Sequence, residues 1–193
     1  MRLRKLEMKI PRHGGKRRGA GRKKVLTSEP SHAKRPEVSP KISLGITMKL
    51  MPGLPSLRSL RHLKSFKKAM NSAKELGLRV THFSLLSNHA HLIIEAESNE
   101  ALERGMKSLT VTLAAAINRL RLRSGPVFKG RFHLHKLKTP KEVRRAIEYV
   151  VYNFAKHLGV TKFVDAFSSE AEGAETSPPG SWLLTEGWRR GLG

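Results

Sequence analysis

Two imidazoles, His89 and His91, stand two residues apart in the run Ser87-Asn88-His89-Ala90-His91-Leu92-Ile93-Ile94-Glu95. An alternating stretch that ends in β-branched apolar residues reads as a strand, and side chains at i and i+2 of a strand leave the same face. Both rings therefore point one way, close enough to grip a single metal ion through neutral nitrogens. A second set of groups lies sixty residues on. Val143, Ile147, Val150, Phe154 and Leu158 recur with the spacing of a helix face laid on a sheet. On that helix Tyr149 and Asn153 fall about 40° apart, on the flank of the apolar stripe, whereas Tyr152 points nearly opposite it. If the helix covers the histidine face, its edge brings an amide oxygen to the metal with a phenol beside it.

These groups need a scaffold, and the hydropathy pattern from Lys41 onwards describes one. Ile42, Leu44, Ile46 and Met48 alternate with Ser43, Gly45, Thr47 and Lys49, a half-buried strand stopped by Pro52 and Gly53. Leu57, Leu60, Leu63, Phe66, Met70 and Ala73 recur at helical spacing as far as Gly77. Residues 80–86 predict a second strand, Ser87-Asn88 a tight connection, and 90–96 a third strand. A helix over 99–123 follows, stopped by Ser124-Gly125-Pro126. Residues 127–137 predict a fourth strand. Thr139 then caps a last helix, with Pro140 at its first position, that runs to 158.

The order strand, helix, strand, strand, helix, strand is the α+β, ferredoxin-like split βαβ arrangement (βαββαβ), an antiparallel sheet to which a C-terminal helix is added. The smoother apolar side of strand three, Ala90, Leu92, Ile94 and Ala96, belongs against the two long helices. His89 and His91 are then left on the opposite face, open to a ligand.

Charge identifies the partner class. At 193 residues the chain suits one domain with tails, and 38 Lys and Arg against 15 Asp and Glu give a formal net charge of +23. That excess is far beyond what solubility requires and implies an anionic polymer, nucleic acid before membrane. No stretch approaches the roughly 18 apolar residues of a membrane span, and the start lacks a signal peptide's apolar segment, so a cytoplasmic, nucleoid-associated protein is expected. With no cysteine, thiolate zinc sites, disulfides and cysteine nucleophiles are excluded, and His, carboxylate and amide remain as ligands.

Residues 1–40 carry 13 Lys or Arg against three Glu and predict a disordered basic arm. Within it the run from His13 to Lys24 resembles an AT-hook, without the Pro between Arg and Gly. Lys16, Arg17, Arg18, Arg22 and Lys23 are its expected DNA contacts. Residues 41–164 form the expected catalytic domain, and 165–193 an acidic linker with a Trp-containing tail. The linker, 168–180, is small, acidic and expected to be disordered. Trp182, Leu183, Leu184 and Trp188 either dock on the domain or bind a partner.

Three motifs together make the sequence specific: the Asn-His-x-His-Leu strand, Gly125-Pro126-Val127-Phe128-Lys129-Gly130-Arg131-Phe132, and the late helix reading Tyr149-Val150-Val151-Tyr152-Asn153. Over about residues 41 to 164 the chain resembles the REP-associated tyrosine transposases, which belong to the His-hydrophobe-His single-strand DNA transposases. The resemblance implies a divalent metal, magnesium or manganese, held by His89, His91 and Asn153, with Tyr149 as nucleophile. It further implies cleavage and transfer of single-stranded, hairpin-bearing DNA through a 5′-phosphotyrosine, by a monomer or homodimer. Two positions depart from the family pattern. Ala90 stands between the histidines in place of a larger hydrophobe, and Phe154 follows Asn153 where many relatives have Pro.

Other readings remain open at the level of sequence. Tyr152 is the reserve nucleophile. His133 and His135 share one face of strand four, roughly 10 Å from the first pair at two strand spacings, and suit phosphate or base contacts better than metal ligation. Lys129, Arg131, His133, Lys136 and Lys138 are the expected DNA contacts of that strand, and Glu95 is placed to orient an imidazole. A nucleic-acid-binding regulator without cleavage activity and a replication-initiator-like nickase are the alternative functions.

Overall fold

The computed structural model describes residues 37–159 and 164–190. The basic arm, with Lys16, Arg17, Arg18, Arg22 and Lys23, therefore lies outside the described residues. Elements follow the predicted order: β1 Ser43–Lys49, α1 Leu60–Lys74, β2 Leu78–Leu85, β3 His89–Ala96, α2 Asn99–Leu120, β4 His133–Leu137 and α3 Pro140–Leu158. A π-helical turn, Leu183–Gly187, and the short α4, Trp188–Arg190, close the described chain. The sheet order is β2-β3-β1-β4 with every neighbour antiparallel, the split βαβ sheet expected from the sequence.

Side-chain alternation divides the sheet into two packed faces. On one, Leu44, Ile46, Met48, Leu92 and Ile94 meet Phe66 and Met70 of α1 and Leu109, Leu113 and Ile117 of α2. On the other, Ile93 and Leu137 meet Val143 and Val150 of α3 together with Leu183 and Leu184. Because His89 and His91 share the phase of Ile93, α3 lies on the histidine face. Its start is fixed by a reciprocal cap. Thr139 Oγ1 accepts from the Glu142 N–H at 3.2 Å, and Glu142 Oε2 accepts from the backbone N–H groups of Lys138 and Thr139 at 2.7 and 3.2 Å.

Two expectations change. The fourth strand is five residues rather than the eleven of 127–137, because Gly130 adopts φ 61°, a left-handed conformation that interrupts a ladder. Residues 127–129 still follow the end of β1, with Met51 N–H to Val127 O and Lys129 N–H to Lys49 O both at 2.8 Å. The segment 168–180 is also laid against the domain rather than disordered. Ser169 N–H donates to Phe83 O and Ser177 N–H to Val80 O, each at 2.9 Å, so the segment runs along the outer edge of β2. At its far end the Glu95 carboxylate, fully buried, accepts from the N–H groups of Gly180 and Ser181 at 2.8 Å and pairs with Arg79 at 3.0 Å. Its anchors are backbone hydrogen bonds, for which hydropathy carries no signal. Leu183 and Leu184 are buried on the α3 face while Trp182 is half exposed, so the aliphatic part of the tail docks on the domain.

Candidate active site

Strand register assembles the site. His91 of β3 lies opposite Thr47 of β1 and Ser84 of β2, and Thr47 lies opposite His133 of β4, so one row crosses the whole sheet on the α3 side. Thr47 Oγ1 is 3.0 Å from His91 Nδ1, and Tyr149, projecting from α3, sets its hydroxyl 3.4 Å from His91 Nε2. His89 Nδ1 lies 2.7 Å from Asn88 Oδ1. An amide oxygen only accepts, so Nδ1 is the donor in this contact. The two imidazoles meet edge to face with centroids 4.7 Å apart, and the His91 and Tyr149 rings do the same at 4.9 Å.

Electrostatics keep His91 neutral. The residue is buried, and desolvation first, then the neighbouring positive charges of His89 and Lys49, push its pKa down to about 4. A neutral imidazole is the form that ligates a metal or accepts a phenol's hydrogen. Tyr149 by contrast is 48% exposed, with its ring packed and its hydroxyl at the border of a cleft of about 680 Å³. That cleft is lined by both histidines, Thr47, Asn88 and Tyr149, with Lys49, Lys129, Arg131 and His133 around it.

The remaining predicted residues fall into place or out of it. Asn153, one turn after Tyr149, is buried, and its Nδ2 has no hydrogen-bond partner; it is not among the residues lining the cleft. A half-turn of a carboxamide exchanges its oxygen and nitrogen at no cost in shape. Asn153 therefore has one end unused, and two imidazoles with a carboxamide are the donor types that suit a hard or borderline divalent ion. Among the described residues no three His, Asp or Glu cluster as metal ligands, so His133 does not join the pair, in line with its two-strand separation. Tyr152 is exposed on α3.

Lys136 lies opposite Leu44, on the α1 and α2 side of the sheet and away from the cleft, and its ammonium reaches the Glu37 carbonyl. Lys138 follows the strand and lines no part of the cleft. Glu95 is a correction, since its carboxylate is taken by the C-terminal segment and Arg79 and orients neither imidazole of the pair. Sequence reasoning missed Thr47 and Asn88, the hydrogen-bond partners of the two imidazoles. Thr47 could have been found once the β1–β3 pairing was assumed, since it has the same strand phase as the histidine face.

Fold and site together define a split βαβ domain in which a helix-borne tyrosine stands over a paired-histidine strand. That fold is shared with the solved structure of a REP-associated tyrosine transposase bound to a REP hairpin. The TM-score is 0.59 at 18% identity, over 72% of this chain and 82% of that chain. A Deinococcus radiodurans R1 chain provisionally assigned as a transposase matches more distantly, with a TM-score of 0.42 at 9% identity over 68% of this chain and 95% of that chain. No protein-family model and no curated protein matches the sequence. Among the described residues no helix is long and apolar enough to cross a membrane.

Proposed function

We propose that this protein is a tyrosine transposase of the REP-associated kind, which cleaves and rejoins single-stranded DNA beside a hairpin. The observation that carries the reading is the hydroxyl of half-exposed Tyr149, 3.4 Å from a buried, neutral His91, on a cleft bordered by Lys49, Lys129 and Arg131. An alkyl or aromatic core role for Tyr149 does not account for a hydroxyl aimed at an imidazole pair. The shared fold supports the same reading, as does the hairpin held by that solved neighbour.

In the proposed reaction the Tyr149 oxygen attacks the scissile phosphorus and the bond from phosphorus to the 3′ oxygen breaks. The products are a 5′-phosphotyrosine and a free 3′-hydroxyl, and the phenolic proton passes by way of water to the leaving 3′ oxygen. Attack on the phosphotyrosine by another 3′-hydroxyl regenerates Tyr149 and completes transfer. Lys49, Lys129 and Arg131 hold the phosphates on either side, and His133 extends that surface. Thr47 and Asn88 hold the two imidazole rings in orientation. Magnesium or manganese, held by His89, His91 and Asn153, would polarise the scissile phosphate and offset its developing charge. The basic arm, through Lys16, Arg17, Arg18, Arg22 and Lys23, adds sequence-tolerant grip on the duplex.

The test is to incubate the full chain with hairpin-bearing oligonucleotides and manganese or magnesium, and to follow a covalent adduct by denaturing electrophoresis. Tyr149→Phe is expected to abolish the adduct and Tyr152→Phe to retain it. The opposite pattern overturns the assignment of the nucleophile. Salt-sensitive binding with no adduct, unchanged in Tyr149→Phe and His89→Ala, replaces the enzyme by a binding protein.

A further inference from the structure

A second groove, of about 380 Å³, opens on the other side of the sheet edge from the histidine cleft. Its floor is apolar: Met48 and Met106 are buried there, with the half-buried rings of Phe128 and Phe132 beside them. Three cationic residues, Lys49, Lys129 and Arg131, line both this groove and the cleft that holds His91 and Tyr149. Lys129 and Arg131 flank Gly130, where their segment departs from strand geometry, and together with Lys49 at the end of β1 they form the wall between the two spaces. From the helix side, Lys107, Glu103 and Thr110 of α2 complete the rim.

We propose that this groove is a binding subsite for one unpaired nucleobase of the DNA strand whose phosphate lies in the histidine cleft. The inference rests on the strand-cleavage reading above and names its substrate contact more closely. Charge and shape select the occupant. A flat apolar ring with polar edges matches two aromatic rings and two thioethers, while the phosphates joining it to the next nucleotide require cations where Lys49, Lys129 and Arg131 stand. Glu103, exposed at the rim, and the Thr110 oxygen, whose proton is given to backbone carbonyls of α2, offer acceptors to an amino group on the base edge. The volume lies within the range of pockets that hold a small flat ligand. Pulling one base into such a groove would fix which phosphate is presented to Tyr149, because the nucleotides on either side of the wall are joined by the backbone that crosses it.

The experiment uses the full-length Tyr149→Phe chain, so that binding is read without cleavage. It also uses hairpin oligonucleotides whose single-stranded flank carries 2-aminopurine at one position at a time. Stacking on an aromatic ring quenches this base, and one flank position is expected to be quenched several-fold more than its neighbours. An abasic nucleotide at that position is expected to weaken binding at least about five-fold. Adding Phe128→Leu, which keeps apolar volume, or Lys107→Glu, an exposed change on α2, is expected to remove most of the selectivity between positions. Even quenching along the flank overturns the subsite, and so does a quenched position insensitive to both changes. The two hypotheses fail separately. A chain that forms adducts without any position-selective quenching loses only the base pocket, whereas selective quenching with no adduct from the wild-type chain keeps the pocket and removes the strand-transfer chemistry.

Discussion

Asp165 is where the C-terminal segment grips the domain, and its replacement measures how much that grip matters. Its carboxylate accepts from Arg58 Nη1 and Nη2 at 2.8 and 2.9 Å and from the Phe167 N–H at 3.0 Å. Asp165 is 1% exposed and Arg58 16%. The Arg58 guanidinium also lies 3.3 Å from the centroid of the Phe154 ring, the residue after Asn153 on α3, and donates to the Leu85 carbonyl. Asp165→Asn keeps the shape and one acceptor but leaves the guanidinium without its counter-charge. Breaking a buried pair from one side costs about 3–5 kcal/mol, and the partial exposure of Arg58 places the expectation near 3 kcal/mol. For a chain of this size that corresponds to a fall in Tm of about 6–12 °C, read by circular dichroism on the full chain. Arg58→Met tests the same link from the other side, and the double variant is expected to lose less than the two single losses together. Because Arg58 also packs on α3 beside Asn153, adduct formation by Asp165→Asn should slow at temperatures where the fold is intact. A fall in Tm below about 2 °C for both single variants refutes the reasoning: the pair would then be a surface contact of no consequence.

Two further perturbations bear on the site and its supporting helix. Thr47→Val keeps the strand and removes the oxygen beside His91 Nδ1; a roughly 10–100-fold loss of manganese affinity by calorimetry is expected, with little change in Tm, as for other partners that orient a ligating imidazole. Unchanged affinity would show that Thr47 does not orient the ring. Glu142 is held below its ordinary pKa, chiefly by the Lys138 backbone N–H and also by that of Thr139. Its depressed folded value means that its contribution to stability is complete above the unfolded carboxylate's pKa and is lost as pH falls through the folded one. Tm measured from pH 6 down to pH 3 is expected to fall less steeply in Glu142→Gln than in the wild type; parallel curves would remove the cap from the account of α3.

How far the site can be read before the fold is known depends on which physical signal carries each residue. Alternation along β3 sends Ala90, Leu92 and Ile94 to the helices and His89 and His91 to the other face, and the structure has that arrangement because a period of two leaves no third choice. The flank position of Tyr149 follows in the same way from about 100° per residue. The same rule separates His133 from Lys136: a strand that points His133 at the cleft sends Lys136 to the other face, and the β1 register puts it opposite Leu44. Thr47 needed pairing as well as periodicity, whereas Asn88 adjoins His89 in sequence and lacked only the side-chain geometry. The segment 168–180 escaped altogether because what binds it is main chain, to the edge of β2 and to Glu95. Its position has a consequence for the chemistry. Glu95 is on the same strand and face as the histidines, yet its charge is spent on two N–H groups and Arg79, so the acidic group nearest in sequence to the pair is withdrawn from it. The cleft is left with imidazoles, a phenol and cations, a composition that suits a phosphodiester and would repel no part of it.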